Sequence, residues 1–268
     1  MRLLLLLLLP MAFSSLSAAE CSTQALAKAR SDFQQGYAKG KYQQATAALA
    51  AFHQECGYEL FPQIKGATEP AIEDVRRYYW LISDLLLGLS RSGQLNECIA
   101  LAEYEELNWG SHFYRLGGES VLAALQYNAA NCKSNREQKL GSFSQQNCPI
   151  AGAADALAIP SSWQMGQACL RLFPGQSETD FDAGDQIPPY VELITATEHH
   201  KLAFADGKLG SGDFCGFSTL ALGRDKQLRI SGSGGFCWQG SAVFMLDSVY
   251  RLQQDKLTIT DELFVPVH

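Results

Sequence analysis

An α+β fold is predicted, with an N-terminal helical half and a C-terminal antiparallel β half, stapled by disulfides. Three observations carry this. Apolar residues recur every three to four positions up to about residue 132. From Tyr190 onward, short β-branched and aromatic runs alternate with tight-turn residues. The chain also holds eight cysteines, none in a CxxC pair.

The N-terminus reads as a secretory signal peptide over 1–19. Met1-Arg2 gives a positive start, Leu3–Leu9 an unbroken apolar run, and Ser17-Ala18-Ala19 a small-residue cleavage site before Glu20. The run is interrupted by Ser14, Ser15 and Ser17, too early for a membrane anchor. The expected mature chain is therefore a periplasmic or secreted protein without a membrane span.

An oxidising compartment turns an even cysteine count into a disulfide framework. Pairing neighbours in sequence gives Cys21–Cys56, Cys98–Cys132, Cys148–Cys169 and Cys215–Cys237. The physical reason is a turn signal near each midpoint, at Gly36–Gly40, beside Arg115, at Ile159-Pro160 and over Gly223–Lys226. Antiparallel elements joined at such a turn bring their outer ends within disulfide reach.

A helical domain is expected over 20–140. Ala25, Ala29, Phe33 and Tyr37 define one apolar face, and Tyr42, Ala45, Leu49 and Phe52 a second after Gly40. Pro70 suits a first helical turn. Val75, Tyr79, Ile82, Leu85, Leu86 and Leu89 form a third stripe, which Gly93 breaks before Leu95, Ile99 and Ala102. Val121, Leu122, Leu125 and Ala129 mark a last helix, expected to end near Cys132.

The junctions Gly40-Lys41-Tyr42-Gln43-Gln44-Ala45 and Gly93-Gln94-Leu95-Asn96-Glu97-Cys98 resemble the helix–helix turns of tetratricopeptide repeats. The resemblance covers roughly 22–132, with the junctions 53 residues apart rather than the family's 34. It implies stacked helical hairpins and a protein-binding groove, and assigns no ligand residue.

Residues 141–189 read as a linker with short helices at Ala151–Ala158 and Ser162–Leu172. The β domain follows at 190–268. Its strands are expected at Val191–Thr197, Lys201–Ala205, Ser218–Leu222, Leu228–Ser231, Ala242–Leu246, Ser248–Leu252, Leu257–Thr260 and Leu263–Val267.

The net charge of −7 argues against nucleic acid, whose phosphates need a basic face. Residues 20–145 hold 12 basic and 14 acidic side chains, and 146–268 hold 8 and 14, so the β half is the more acidic. Asp180 and Asp182 have the spacing of calcium ligands. Asp185 and Val191 stand where an EF-hand loop needs Gly and Glu, which leaves only an irregular site.

Catalytic, metal and cofactor signals are lacking. Gly118-Glu119-Ser120 imitates a nucleophile elbow, but Leu122 replaces its last glycine and no strand precedes it. Ser231–Gly235 lacks the lysine and helix of a phosphate loop. His199 and His200 are adjacent on an expected strand and so face opposite sides. Trp109, His112, Tyr114 and Arg115, in a loop-like stretch, and Trp238 carry the aromatic and arginine character of contact hot spots. The expected function is an exported, non-enzymatic module that binds a basic protein, as an inhibitor or immunity protein against a toxin or lytic enzyme. The alternatives are an envelope hydrolase using carboxylates of the β domain, or an assembly scaffold.

Overall fold

The computed structural model describes residues 21–60, 72–115, 120–146, 148, 158–160, 168–173, 189–206, 214–236 and 241–266. Among them the fold is α+β, five helices followed by a curled, mostly antiparallel nine-stranded sheet. The stretch 1–19 expected to be a signal peptide, Pro70, Asp180, Asp182, Trp238 and Cys237 lie outside the described residues.

Helices α1 (Thr23–Ala38) and α2 (Tyr42–Leu60) form the first hairpin. Ser22 caps α1 by accepting the Ala25 amide at 3.1 Å. The helix ends in a Schellman turn. Lys41 donates to the Gly36 carbonyl at 3.0 Å and Gly40 to Tyr37 at 2.9 Å, and Gly40 takes the left-handed φ of 71° that the turn requires. Gly93 (φ 79°) repeats the device between α3 (Ile72–Ser92) and α4 (Leu95–Arg115). Helix α5 is Ser120–Leu140.

Helix α3 lies at the centre and packs against all four other helices. Val75, Tyr79, Ile82, Leu85, Leu86 and Leu89 are all buried there, as the stripe predicts. Close approach depends on small residues. A Cβ at Gly88 would lie 2.4 Å from Thr46 Oγ1 and 2.9 Å from Phe33 Cε2, and one at Gly36 would lie 2.8 Å from Ala45 Cβ. Gly88→Ala is therefore expected to destabilise by about 1–3 kcal/mol through overpacking, read as a lower urea midpoint. An unchanged midpoint would show that α2 and α3 have room to part.

The sheet order is β1-β6-β7-β8-β9-β5-β4-β3-β2. The strands are β1 (Phe143–Ser144), β2 (Ala158–Pro160), β3 (Cys169–Phe173), β4 (Tyr190–Ile194) and β5 (His199–Phe204), then β6 (Phe214–Gly223), β7 (Gln227–Phe236), β8 (Ser241–Gln253) and β9 (Lys256–Pro266). Two antiparallel meanders, β2–β5 and β6–β9, join through one parallel pair, Ala203 with Lys256 and Phe204 with Leu257. The sheet curls until β2 comes alongside β6. Its inner face holds Leu170, Val191, Leu193, Leu202, Phe204, Leu220, Ile230 and Tyr250 in one core. The outer face of β9 meets the helices, with Leu263 packed into the helical core.

Several expectations need correcting. The stretch 141–189 contributes three strands, and residues 169–172 pair with β4 instead of forming a helix. The runs expected to break at Asp247 and near Asp261 are continuous, giving the two longest strands, β8 and β9. Helix α5 continues eight residues past Cys132. The loop-like stretch holding Trp109, His112, Tyr114 and Arg115 is the last part of α4. The sheet is mostly antiparallel as expected, with one parallel pair, β5 with β9.

Three disulfides match the sequential pairing, Cys21–Cys56, Cys98–Cys132 and Cys148–Cys169, with Cα separations of 5.1, 6.1 and 5.9 Å. The midpoint reasoning holds for the first two, which join successive helices, the entry to α1 with α2 and α4 with α5. It fails for the third, whose midpoint Ile159-Pro160 is strand β2. There Cys169 stands opposite Pro160 and Ile194 in the ladder, and Cys148 packs against the buried group of Ala158, Cys169 and Ile194. Cys215 lies in β6.

Candidate binding cleft between the helices and the sheet

The outer face of β7–β9 is set by strand register. Ser231 stands opposite Asp247 and Asp247 opposite Leu263; one step along, Arg229 stands opposite Val249 and Val249 opposite Asp261. Period-2 alternation thus presents Arg229, Asp247 and Asp261 together on the face that meets α5.

Arg136 fills the gap from the helix side. It is only 2% exposed although α5 is polar around it. Its Nη1 donates to Asp247 Oδ2 at 2.6 Å, and Nη2 to the Asp247 carbonyl at 3.0 Å and Asp261 Oδ1 at 2.8 Å. Nε donates to the same Asp261 oxygen at 3.1 Å. Arg229 completes the cluster. It donates to Asp247 at 2.8 and 2.5 Å and to both oxygens of Glu137 at 2.8 and 2.7 Å. Lys139 Nζ stands 3.7 Å from the other Asp261 oxygen.

Burial alone would push the Asp247 carboxyl up. The hydrogen bonds from Arg229 and Arg136 outweigh it and hold the group below the usual carboxylate range. The bonds to Asp247 and Glu137 push the Arg229 guanidinium further up. These bonds favour the charged forms of Asp247 and Arg229, and the cluster joins residues more than a hundred positions apart in the chain.

Beside this clamp a cleft of about 340 Å³ separates the two layers. Its apolar floor is Ile99 of α4, Met245 and Leu246 of β8, and Leu263 and Val265 of β9. Ser218, Ser231 and Gly232 line one side. Lys133 and Glu103, paired with each other, stand at the helix side. Met245 is 39% exposed at the opening. A mostly apolar concavity with a few placed polar groups is the usual form of a ligand site.

A second polar cluster lies on β3–β5. Arg171 Nη2 donates to Glu192 Oε2 at 2.5 Å, and His199 Nδ1 lies 3.0 Å from Glu192 Oε1. Burial raises the Glu192 carboxyl, but His199 and Arg171 together bring it below its ordinary value. His200 turns instead to Glu198, at 2.9 Å, as opposite-facing strand neighbours must. In the helical core, Tyr78 donates to buried Glu105 at 2.7 Å, and burial pushes its phenol up. Arg30 bridges α1 to Asp84 of α3 at 2.7 Å, yet burial wins and Asp84 is raised.

These shifts fix a pH dependence. Asp247 and Glu192, depressed in the fold, stabilise it above the unfolded carboxylate pKa of about 4, and that stability is lost as pH falls through their lower folded values. Asp84 has the opposite sign: its folded value is raised, so protonating it as pH falls towards the unfolded carboxylate pKa relieves a cost. The urea midpoint is expected to rise slightly as Asp84 protonates, then fall steeply as Asp247 and Glu192 protonate. Asp84→Asn should remove the rise. A midpoint constant down to pH ~2 would show that the carboxylates are not clamped.

Of the residues singled out from sequence, Trp109, His112, Tyr114 and Arg115 run along the same helix as Ile99 and Glu103 of the cleft. Sequence reading missed Arg136, Arg229, Asp247 and Asp261. The available signal was charge inside otherwise regular β alternation at 247 and 261. Among the described residues no group of three or more His, Cys, Asp or Glu could hold a metal ion, and no helix is long and apolar enough to cross a membrane. No family model, curated protein or solved structure matches the chain.

Proposed function

We propose that the chain is an exported, non-enzymatic protein-binding module that takes a segment of its partner into the cleft between helices and sheet. The carrying observation is that cleft, with an apolar floor and hydroxyl and ion-pair walls, whose two lining helices are joined by the Cys98–Cys132 disulfide. The leader and the disulfides support export. The clasped carboxylates support a binding role: Asp247 is held ionised, whereas a general acid needs a raised pKa. The most concrete form is an inhibitor or immunity protein, with the net charge of −7 steering a basic partner such as a cationic lytic enzyme.

The test is affinity capture of the mature protein from an envelope extract, with reduced protein and Met245→Glu as controls. Expected is a stoichiometric partner, lost on reduction and weakened at least about tenfold by the buried charge. Capture that ignores Met245→Glu would remove the cleft from the reading.

One observation favours an envelope hydrolase instead. Glu192 orients His199 through Nδ1, as a carboxylate orients a general base. Polysaccharide or ester turnover abolished by His199→Ala, with no partner captured, would establish that reading.

A further inference from the structure

A second surface stands on the helical layer, on other elements than the cleft. Arg91, in the last turn of α3, is exposed, and its Nε donates to the Tyr37 hydroxyl at 3.1 Å. Tyr37 is braced in turn. Its ring lies 5.8 Å from Phe33 and meets Tyr42 edge-on at 4.9 Å. The exposed guanidinium is therefore held by one edge against an aromatic wall. Among the described residues its Nη edge has no carboxylate, unlike those of Arg136, Arg171 and Arg229. The Tyr37 hydrogen bond first, and then the Tyr37, Tyr42 and Tyr127 phenols, favour its charged form. Tyr127, on α5, is 68% exposed, the most exposed large hydrophobic among the described residues.

Lys39 and Lys41 flank the α1–α2 turn, and both are exposed. The stretches 33–54, 85–96 and 120–136, which carry this surface, contain no Asp or Glu in a chain whose net charge is −7. A guanidinium pinned through Nε leaves its outer edge directed to take a carboxylate in two hydrogen bonds. Tyrosine and arginine together are the residue types that anchor interfaces.

We propose that this tyrosine-framed arginine is a docking point for an acidic segment of a protein partner. Arg91 takes a carboxylate, Tyr127 and Tyr42 cover the aliphatic part of the segment, and Lys39 and Lys41 hold its neighbouring charges. The surface is distinct from the cleft and stands or falls separately from it.

The test uses the mature, disulfide-bonded protein and an N-acetylated glutamate-rich peptide about a dozen residues long, a length that can cross the exposed ends of α1–α3. Fluorescence anisotropy should show saturable binding that weakens as salt rises. Arg91→Ala and Tyr127→Ala should each weaken it about tenfold, and Arg91→Lys, which keeps charge but loses the fork, should weaken it less. Both side chains are exposed, so circular dichroism should be unchanged, and Met245→Glu should bind the peptide as wild type does. Equal binding by wild type and Arg91→Glu would overturn the proposal. So would tighter binding of a polynucleotide or an anionic vesicle at matched charge, which would assign the patch to that other class.

Discussion

Arg136→Met is expected to lower stability by about 3–5 kcal/mol, the usual cost of stranding the partners of a buried ion pair. The loss does not come from removing a strong bond, because a buried pair gains little net energy over apolar residues of the same size. It comes from what remains. Asp247 keeps Arg229, but Asp261, whose side chain is 7% exposed, is left among the described residues with Lys139 alone, at 3.7 Å. The measurement is calorimetric unfolding of the single variant against Arg136→Met/Asp261→Val. The double variant should recover most of the loss, because it removes the stranded charge together with its partner. A single variant within about 1 kcal/mol of wild type would show that the cluster is hydrated and does not clamp the layers.

Removing the Cys98–Cys132 disulfide by Cys98→Ala/Cys132→Ala should cost about 4 kcal/mol. That figure follows from closing a loop with the observed sequence separation of 34 residues. Both cysteines are fully buried, so lost packing adds to the entropic part. The bridge matters to the cleft because it ties α4, with Ile99 and Glu103, to α5, with Lys133 and Arg136. The Cys21–Cys56 bridge, removed by Cys21→Ala/Cys56→Ala, has a similar separation of 35 residues but ties α2 to the residues just before α1. Both double variants should lower the melting temperature, and only the first should weaken partner capture. Equal loss of capture in both would mean that the bridges act through global stability alone.

The helices were legible because their cores are apolar and periodic. The stripe from Val75 to Leu89 is buried residue by residue, and Gly40 and Gly93 stop helices where the pattern breaks. The turns at Asp225-Lys226 and Gln254-Asp255 were legible too. Both use paired positive φ values on non-glycine residues, matching the twist of a two-residue hairpin. The breaks expected at Asp247, near Asp261 and after Cys132 failed for one physical reason. Where a charged residue is buried against a distant partner, local pattern reports solvent. Asp247 and Asp261 looked like strand breaks, and the segment after Cys132 looked like the end of a helix. In the fold they are buried against one another through Arg136, over sequence separations of 111 and 125. The short strands β2 and β3 were hidden differently. Each is too brief to show a period, and pairing along the ladder places them. The cleft follows from the same long-range contacts, so composition and spacing could not reveal it.

Hydrogen–deuterium exchange of the mature protein, with and without its captured partner, tests the central claim most directly. Partner binding in the cleft predicts added protection in β7 and β8 around Ser231–Gly232 and Met245–Asp247, in β9 at Leu263–Val265, and in α4 near Ile99–Glu103. Protection confined to β3–β5, with none on either wall of the cleft, would contradict it.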